Sequence, residues 1–328
     1  MINLSIVGFE HVHAPHYLEC LRGMRGVEVV ALAEPDSTRL EPHARLLAGV
    51  PVYSDYRRML QEVALHGVII CSANARHKEP VIACARAGIP ILCEKPLATK
   101  AVDAREMLAI CTAHDVLLGM CFPARFSPAL HQAKQLIHKG ELGKVLAVKS
   151  TNHSTMPGDW FVDPQLAGGG AIMDHAVHVV DALRWLFEAE FTQLFGHAAT
   201  RLYDLSVEDV GLLTLEMSNE VFVTLDASWS RPKKSFPIWG DVSLAIIGTE
   251  GVLNLELFPW TLNYYAEDAG KHVVIARDGD LNHRLLEDFV KSISHETTIS
   301  ANGLDGLRAL EVVEAAYKSI TERKVAVL

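Results

Sequence analysis

Long apolar stretches, C-x-x-C pairs and a surplus of positive charge are all missing from this chain of 328 residues. No apolar run approaches the length of a transmembrane helix, and the chain opens on a strand-like pattern instead of a basic, signal-type segment. The six cysteines all precede residue 122 and have no redox or zinc spacing, so we expect reduced, buried thiols. These absences predict a cytoplasmic protein that does not associate with membranes.

The charge balance excludes another class of partner. With a formal net charge of -10, the chain lacks the basic surface on which sequence-independent nucleic-acid binding depends. Hydrophobic residues make up 49% and charged residues 21%, which is a globular composition, and the length favours about two domains. We therefore expect a small-molecule partner and no nucleic acid.

Short apolar strands alternate with helices through the first half of the chain. The strand-like runs cover residues 4–7, 27–33, 67–71 and 90–93. The clearest helix between them spans residues 78–87, where Gly88 supplies a C-terminal stop. This alternation predicts an α/β domain at residues 1–122. Its core would be a doubly wound parallel sheet of the Rossmann type, with ligands at the carboxyl ends of the strands.

The first loop lacks two of the three glycines of the dinucleotide-binding pattern G-x-G-x-x-G. The chain reads Gly8-Phe9-Glu10-His11-Val12-His13 and keeps the first glycine alone. The other two normally allow close approach of a pyrophosphate and tight helix packing, so this loop weakens the prediction of a dinucleotide site. If a dinucleotide binds, Glu10 must turn outward, and replacing Glu10 by glycine should tighten binding.

The second loop is more favourable to a dinucleotide. Glu34 follows the second strand at about the distance expected of an acid that accepts hydrogen bonds from a ribose diol. Such a carboxylate would repel the extra phosphate of NADP, so it favours NAD. A solvated acid in a turn explains the same spacing equally well.

A histidine pair suggests a different class of protein. His11 and His13 directly follow a strand, as two metal ligands do in hydrolases built on (β/α)8 barrels. Together with Asp174 and His178 they could form the metal site of a hydrolase or lyase. The second half of the chain is rich in strands, however, and lacks the alternation that a barrel requires.

The turn Glu94-Lys95-Pro96 places an ammonium group at the carboxyl edge of the predicted parallel sheet. A partly dehydrated lysine there would have a lowered pKa and could exchange protons near neutrality. Pro96 makes the preceding peptide bond a cis candidate, which would fix the direction of the lysine.

A glycine turn at residues 168–170 begins a helix with helical apolar spacing. Asp174, His178 and Asp181 follow i, i+4 and i+7 along one line of this helix. An acid and an imidazole one turn apart suit proton handling or metal binding. Hydrogen-bonded polar residues of a buried helix would produce the same pattern, and the sequence alone leaves the two interpretations about equal.

The second half reads as a different kind of domain. β-rich runs separated by turn residues occupy residues 145–150, 210–217, 221–226 and 244–247. Helical periodicity returns at residues 281–293 and 304–320. We predict an α+β domain at residues 123–328 with a large, mainly antiparallel sheet that has one open face.

These segments together resemble the Gfo/Idh/MocA family of NAD(P)-dependent sugar and polyol oxidoreductases, over nearly the whole chain. The matching segments are Ser72-Ala73-Asn74 with His77, Glu94-Lys95-Pro96, Arg125-Phe126-Ser127-Pro128, Gly140 to Lys144, Gly168 to Asp181 and Gly303 to Arg308. The resemblance implies that the catalytic residues are Lys95, Asp174 and His178. It implies cofactor contacts from Gly8, Phe9, Glu34, Ser72, Asn74, His77, Glu94 and Lys95. The implied substrate contacts are Lys95, Arg125, Asn152, Trp160, Asp174 and His178, although a tryptophan there could equally be core.

The sequence thus predicts an enzyme that moves hydride between a nicotinamide and a carbinol carbon of a sugar, polyol or related hydroxy compound. Lys95 would be the acid/base, His178 would position the reacting hydroxyl, and Asp174 would hold the geometry and tune the lysine. We expect NAD as the cofactor, NADP being less favoured, and no bound metal. The resemblance further implies a homodimer or homotetramer formed through the second sheet. The alternatives are the metal-dependent hydrolase or lyase and a non-catalytic sugar-binding relative.

Overall fold

The computed structural model of the chain describes residues 1–236, 240–257, 260–266, 271–276 and 280–328, with side chains for all but 260–266 and 271–276. The helices in these ranges are α1 Ala14–Gly23, α2 Tyr56–Glu62, α3 Lys78–Arg86, α4 Ala101–Ala113, α5 Pro128–His138, α6 Pro164–Ala167, α7 Ala171–Phe187, α8 Leu281–Ile293 and α9 Gly303–Glu322. The strands are β1 Ile2–Val7, β2 Val27–Ala33, β3 Val52–Tyr53, β4 Gly67–Ile70, β5 Ile91–Cys93, β6 Leu118–Met120, β7 Val145–Ser154, β8 Phe191–Ala199, β9 Val210–Met217, β10 Phe222–Ser228, β11 Gly240–Gly248, β12 Gly251–Leu257, β13 Trp260–Ala266, β14 Lys271–Ala276 and β15 Ala326–Val327.

Backbone contacts divide the chain into two compact units. Unit 1 consists of Met1–Pro123, Gln165–Gly168 and Asp280–Leu307, and unit 2 consists of Ala124–Pro164, Gly169–Gly279 and Arg308–Leu328. Both units are therefore discontinuous in sequence. The domain boundary between residues 122 and 123 is a simpler division of the chain, and it stays a prediction.

Unit 1 is built on a parallel sheet of six strands in the order β3-β2-β1-β4-β5-β6. All of its neighbouring strands pair in parallel. The four residues of β4 are all buried, and strands covered on both faces require continuous apolar sequence of this kind. The predicted parallel sheet is confirmed. The short edge strands β3 and β6 extend it beyond the four strands that the sequence pattern revealed.

A helix from the last part of the chain completes unit 1. α8 packs against α1, and its Phe289 is fully buried. The ring of Phe289 lies 3.0 Å from the place that a Cβ would occupy at Gly67, the first residue of β4. A larger residue at position 67 would therefore push against both Phe289 and Leu4, whose side chain is equally close.

Unit 2 is built on a nine-stranded sheet in the order β14-β13-β12-β11-β7-β10-β9-β8-β15. β7 and β10 pair in parallel and the other neighbours pair antiparallel, so the predicted mainly antiparallel sheet is confirmed. α7 packs across β7, β9 and β10. Residues of β9 alternate between the two faces, with Leu213 and Leu215 buried and Leu212 exposed.

The structure also bears on the expectations for thiols and membranes. All six cysteines are free and buried, as the absence of paired spacing predicted. Among the described residues, no helix combines the length and the apolar character that a membrane crossing requires.

Candidate active site

The loop between β1 and α1 explains why its first glycine is retained. Gly8 has φ +81°, and a Cβ at this position would lie 2.6 Å from the backbone nitrogen of Ser72. The loop after β1 therefore touches the loop after β4 so closely that only glycine fits. The next residue, Phe9, is buried, and its ring lies edge-on to His43 with the centroids 5.4 Å apart.

Glu34, at the end of β2, is buried with 3% of its surface exposed. Its Oε2 accepts a hydrogen bond of 2.6 Å from the N–H of Phe9, and its Oε1 accepts one of 2.9 Å from the N–H of Asp36. Burial raises the pKa of the Glu34 carboxyl, while these two N–H groups act in the opposite direction. The solvated turn acid considered from the sequence is therefore wrong, because this carboxyl is enclosed.

The Glu10 side chain is buried and does not turn outward as the sequence suggested. The residue is 8% exposed, and its Oε2 accepts a hydrogen bond of 2.8 Å from the N–H of Ala73. Its Oε1 forms an ion pair with Arg76. The carboxylate that stands at the second glycine position thus fastens the first loop to the loop after β4, and Arg76 balances its charge.

A buried histidine links the loop after β4 to the Lys-Pro turn. His77 is fully buried, with Nε2 3.0 Å from the carbonyl of Ser72 and Nδ1 3.0 Å from the carbonyl of Pro96. Burial lowers the pKa of His77, so the ring is neutral and donates to one of these carbonyls. Asn74 is also buried, and its Nδ2 donates to the carbonyl of Ala167 at 2.9 Å.

The Glu94-Lys95-Pro96 turn lies at the end of β5, as predicted, and the Lys95-Pro96 peptide bond is cis. Lys95 is 4% exposed and Glu94 is fully buried. Glu94 Oε2 accepts a hydrogen bond of 3.0 Å from the N–H of Lys95. Both side chains are therefore enclosed and do not belong to a solvated turn.

The two loop histidines both face Glu94. Glu94 Oε1 lies 2.9 Å from His13 Nδ1 and 3.6 Å from His11 Nδ1. Burial alone would raise the pKa of Glu94, but the nearby His11, His13 and Lys95 side chains hold it well below its ordinary value. The phenol of Tyr17, 3.4 Å from His13 Nδ1, also faces this group.

In unit 2, an acid from outside the helix caps the start of α7. Glu208 accepts hydrogen bonds of 3.0 Å from the N–H groups of Gly170 and Ile172, and one of 2.7 Å from the hydroxyl of Tyr317. A Cβ at Gly170 would overlap the backbone of Glu208. Burial raises the pKa of Glu208 and the helix N–H groups counter this effect. No sequence pattern links these residues, so the cap was not foreseen.

Asp174 and His178 occupy the line predicted for them on α7. Between residues 171 and 183 they are the two side chains that are not buried. Asp174 Oδ2 accepts a hydrogen bond of 3.1 Å from Trp229 Nε1 and lies 3.6 Å from His175 Nδ1. His175 Nε2 in turn lies 2.8 Å from the hydroxyl of Ser154. Sequence reasoning missed Trp229 and Ser154, which come from other strands or their ends.

The next polar residue on this line has a different role. Asp181 is fully buried and receives two hydrogen bonds from Arg125, from Nε at 2.8 Å and from Nη2 at 2.6 Å. This two-point pairing holds α7 against the turn at Pro123–Phe126. Nε and Nη2 of the Arg125 guanidinium are therefore engaged by Asp181, and the predicted substrate contact of Arg125 stays a prediction.

The remaining predicted substrate residues lie in the interior of unit 2. Asn152 is fully buried, and its Nδ2 donates to the carbonyl of His175 at 3.1 Å. Trp160 is 2% exposed and stacks on Phe161 with the ring centroids 3.9 Å apart. His153 follows Asn152 directly, so its side chain points to the opposite face of the sheet, where it pairs with acids.

The architecture and these side chains define an oxidoreductase with an NAD-binding Rossmann unit. The chain belongs to the GFO/IDH/MocA family: the family model described as "Oxidoreductase family, NAD-binding Rossmann fold" matches residues 2–122, and the model described as "GFO/IDH/MocA C-terminal domain" matches residues 130–254. The family predicted from the sequence is therefore confirmed.

Individual relatives are similar over nearly the whole chain. Inositol 2-dehydrogenase 2 of Saccharopolyspora erythraea is 26% identical, with 97% of this chain and 93% of that protein covered. D-xylose 1-dehydrogenase (NADP(+)) of Haloarcula marismortui is 24% identical, with 81% and 76% covered. A solved structure of levoglucosan dehydrogenase in complex with NADH and levoglucosan has a TM-score of 0.89 at 21% identity, with 99% of each chain covered. The family and the two dehydrogenase sequences favour the oxidoreductase over the hydrolase or lyase and the non-catalytic alternatives, and the solved structure shows the same fold.

Proposed function

We propose that this oxidoreductase is an NAD-preferring dehydrogenase that acts on a CH–OH group of a sugar or cyclic polyol. One observation carries the proposal most directly. Two of the residues that the family resemblance assigns to catalysis are partly exposed within an otherwise buried stretch of helix α7, and the third precedes a cis proline. Asp174 and His178 interrupt the buried surface of α7, and Lys95 lies in the turn at the end of β5.

The residues of unit 1 fit a nicotinamide dinucleotide. Gly8 has no side chain, so the backbone of the first loop can lie directly against the loop after β4 at the sheet edge. The Oγ of Ser72 and the Oδ1 of Asn74 are buried and make no hydrogen bond to any residue that the structure describes. Buried polar atoms without a protein partner are costly unless a ligand or water satisfies them. The residues that would hold NAD are Gly8, Phe9, Glu34, Ser72, Asn74, Glu94 and Lys95, and His77 would hold the loop that carries Ser72 and Asn74.

The proposed chemistry assigns one role to each catalytic residue. The nicotinamide ring, when bound, supplies the hydride acceptor or donor. Lys95 takes the proton of the reacting hydroxyl at Nζ during oxidation and returns it during reduction. His178 positions that hydroxyl by a hydrogen bond, and Asp174 fixes the geometry of the helix residues that bind it.

Glu34 supports NAD as the preferred cofactor. An acid at the end of the second strand can accept the ribose hydroxyls of NAD, and its charge opposes the extra phosphate of NADP. The carboxylate is fixed in place by the N–H groups of Phe9 and Asp36. Since the xylose dehydrogenase relative carries NADP(+) in its name, cofactor preference is the first quantity to measure.

The substrate class comes from the relatives and from the polar character of the second unit. The similar proteins are named for inositol, xylose and levoglucosan, which all carry several hydroxyls on a ring or short carbon chain. The Oδ1 of Asn152 is buried without a hydrogen-bond partner among the described residues and would suit a substrate hydroxyl. We propose Arg125, Asn152 and Trp160 as further substrate residues beside Lys95, Asp174 and His178.

The function is tested with purified protein and a panel of inositols, aldoses and glycosides, each assayed with NAD and with NADP by the absorbance of the reduced cofactor. We expect turnover of at least one ring polyol or sugar, faster with NAD. Mass spectrometry of the protein as purified would show whether a dinucleotide is retained. The absence of binding of either dinucleotide would contradict the proposal, whatever the substrates tried.

We also propose that the enzyme is a homodimer or homotetramer joined through the sheet of unit 2. The face of that sheet opposite α7 exposes Phe222 to 58% and Leu212 to 52%, which a subunit contact would cover. Light scattering of the wild type and of the Phe222→Lys variant tests this, because a charge within such a contact should shift the protein towards monomer.

A further inference from the structure

Two groups of side chains in the described part of the chain have the types and spacing of metal ligands. The first consists of His11, His13 and Glu94, and the second of His16, Cys20 and Asp280. In each group, one ligand atom from every residue lies within 4.8 Å of those from the other two. Neither group belongs to the proposed hydride-transfer chemistry as its acid, base or hydroxyl-binding residue.

The second group already has other tasks. Asp280 caps α8 by accepting hydrogen bonds from the N–H groups of Asn282 and His283. Burial raises the pKa of the Cys20 thiol to about 12, so it is protonated at neutral pH and is a poor ligand. These properties favour the first group.

We infer that His11, His13 and Glu94, which we call the His-Glu cluster, bind a divalent first-row transition-metal ion, for which Zn²⁺ is the reference. Two imidazoles and one carboxylate are the ligand set of catalytic zinc and non-haem iron sites, and they suit such ions better than Mg²⁺ or Ca²⁺. The site goes beyond the proposed dehydrogenase activity, which needs no metal, and it differs from the absence of metal expected from the sequence.

The distances in the His-Glu cluster are those of a metal site. Ligands bound about 2.1 Å from one ion, at tetrahedral to octahedral angles, lie roughly 3.0–3.4 Å from each other. The two Nδ1 atoms lie 2.9 Å (His13) and 3.6 Å (His11) from Glu94 Oε1. An ion could therefore replace the proton between His13 and Glu94, with the imidazole of His11 moving closer to complete the site.

Burial explains what the ion would contribute. The side chains of His11 and Glu94 are 1% and 0% exposed, whereas that of His13 is 28% exposed and leaves an approach from solvent. A carboxylate enclosed this deeply needs a compensating positive charge. A divalent ion bound between the two imidazoles and Glu94 would add to the positive charge that Lys95 already contributes near this carboxylate.

Binding would also rearrange one hydrogen bond. His11 Nδ1 accepts a hydrogen bond of 3.2 Å from the N–H of His13, and ligation through Nδ1 would take the same lone pair. The ion would then replace this contact and the His13–Glu94 hydrogen bond as the link between the first loop and the end of β5. Glu94 is 81 residues from His13 in the sequence, so such a link would stabilise unit 1 by an amount that rises with the logarithm of the metal concentration above Kd.

The test uses the full chain stripped with a chelator and dialysed. Cobalt is titrated as a spectroscopic probe, and zinc affinity is measured by competition with a chromophoric chelator. We expect about one site per chain, a cobalt spectrum of low coordination number and a rise in Tm with added zinc. The variant His13→Gln should bind more than about a hundredfold more weakly, since loss of a second-shell partner alone costs about 10–100-fold.

Three further variants make the result specific. His13→Cys supplies another zinc ligand and should recover much of the affinity that His13→Gln loses. His114→Gln, an exposed histidine at the end of α4, should bind zinc as the wild type does. His16→Gln tests the second group. The inference is overturned if the stripped protein takes up no zinc or cobalt, if His13→Gln binds normally, or if only His16→Gln loses binding. Circular dichroism of the metal-free variants checks that each one is folded.

Discussion

The indole N–H of Trp229 donates a hydrogen bond of 3.1 Å to Oδ2 of Asp174. Trp229 is fully buried just beyond the end of β10, and it packs with Ala171 and Val207 beside the start of α7. The carboxylate proposed to act in catalysis is thus held by a rigid side chain from a different part of unit 2. A buried tryptophan in this position fixes both the rotamer and the hydrogen bonding of Asp174.

The first prediction concerns this contact. Trp229→Phe keeps most of the packing but removes the N–H, so it should lower kcat about tenfold or more, because a hydrogen bond to a charged group contributes about 1.5–3 kcal/mol. KM should change less, and the pH profile of kcat should move towards that of Asp174→Asn. Trp185→Phe is the control, because Trp185 lies in helix α7 with Asp174 but does not donate to this carboxylate. A variant with normal kcat and an unchanged pH profile would show that the contact is only structural.

The second prediction concerns Lys95. Lys95→Met should lose about 10²–10⁴-fold in kcat, the usual contribution of a positioned acid or base, while the folded state and most of the affinity for NAD are kept. Lys100→Met replaces an exposed lysine at the start of α4 and should be fully active. Steady-state kinetics and calorimetric titration with NAD measure the two properties separately. Near-normal turnover in Lys95→Met would eliminate the proposed mechanism.

The neighbouring residues of the mechanism should respond differently. His178→Ala should lose both kcat and substrate affinity, because the residue is proposed to hold the reacting hydroxyl. Asp174→Asn should mainly shift the pH profile, because it removes an ionisable carboxylate from the residues proposed to act in catalysis. If the two variants behave alike, the separate roles assigned to them are incorrect.

The third prediction concerns cofactor preference. Glu34→Gln removes the charge and keeps one acceptor oxygen for the loop N–H groups, so the ratio of kcat/KM for NAD over NADP should fall about tenfold or more. Two charges about 4 Å apart interact by about 1 kcal/mol in water and by about 4 kcal/mol near a protein surface. Glu34→Ser should lower the ratio further but also loosen the loop, because Phe9 and Asp36 both donate to this carboxyl. Glu28→Gln, an exposed acid in β2, is the control, and wild-type preference for NADP would refute the argument.

The parts of the fold that the sequence predicted are those governed by local pattern. β4 and β5 are continuous apolar runs and β1 and β2 are mostly apolar, which is what a parallel sheet covered on both faces requires. The Asp174 and His178 line was also predictable, because helical periodicity fixes which residues of one helix share a face.

The rest depended on contacts between distant segments. Trp229 is 55 residues from Asp174, and the register of the sheet, which no local pattern specifies, decides that they meet. Glu208 and Tyr317 are 109 residues apart and cap α7 together. The same limit applies to the first loop, where sequence spacing alone could not show that the Glu10 side chain reaches the loop after β4.

The last prediction follows from Glu10. The sequence alone suggested that Glu10→Gly should tighten NAD binding by removing a negative charge near the phosphates. In the structure this carboxylate accepts the N–H of Ala73, 63 residues away, and pairs with Arg76. Glycine would leave a buried N–H without its acceptor, at a cost of about 1–3 kcal/mol, and would free the loop that approaches Ser72. We therefore expect Glu10→Gly to lower Tm and to weaken NAD binding.

The conservative variant separates the charge of Glu10 from its structural role. Glu10→Gln can still accept the N–H of Ala73, so it should keep Tm close to that of the wild type. Arg76→Gln removes only the ion pair with Glu10, in which Arg76 is exposed, so it should lower Tm little. Calorimetric titration with NAD and thermal unfolding of the three variants give the comparison. If Glu10→Gly binds NAD more tightly than the wild type at an unchanged Tm, the carboxylate opposes the phosphates after all, and its bond to Ala73 contributes little to the loop. If Glu10→Gln and Glu10→Gly lose the same stability, the charge and its pairing with Arg76 hold the loop, and not the hydrogen bond to the backbone.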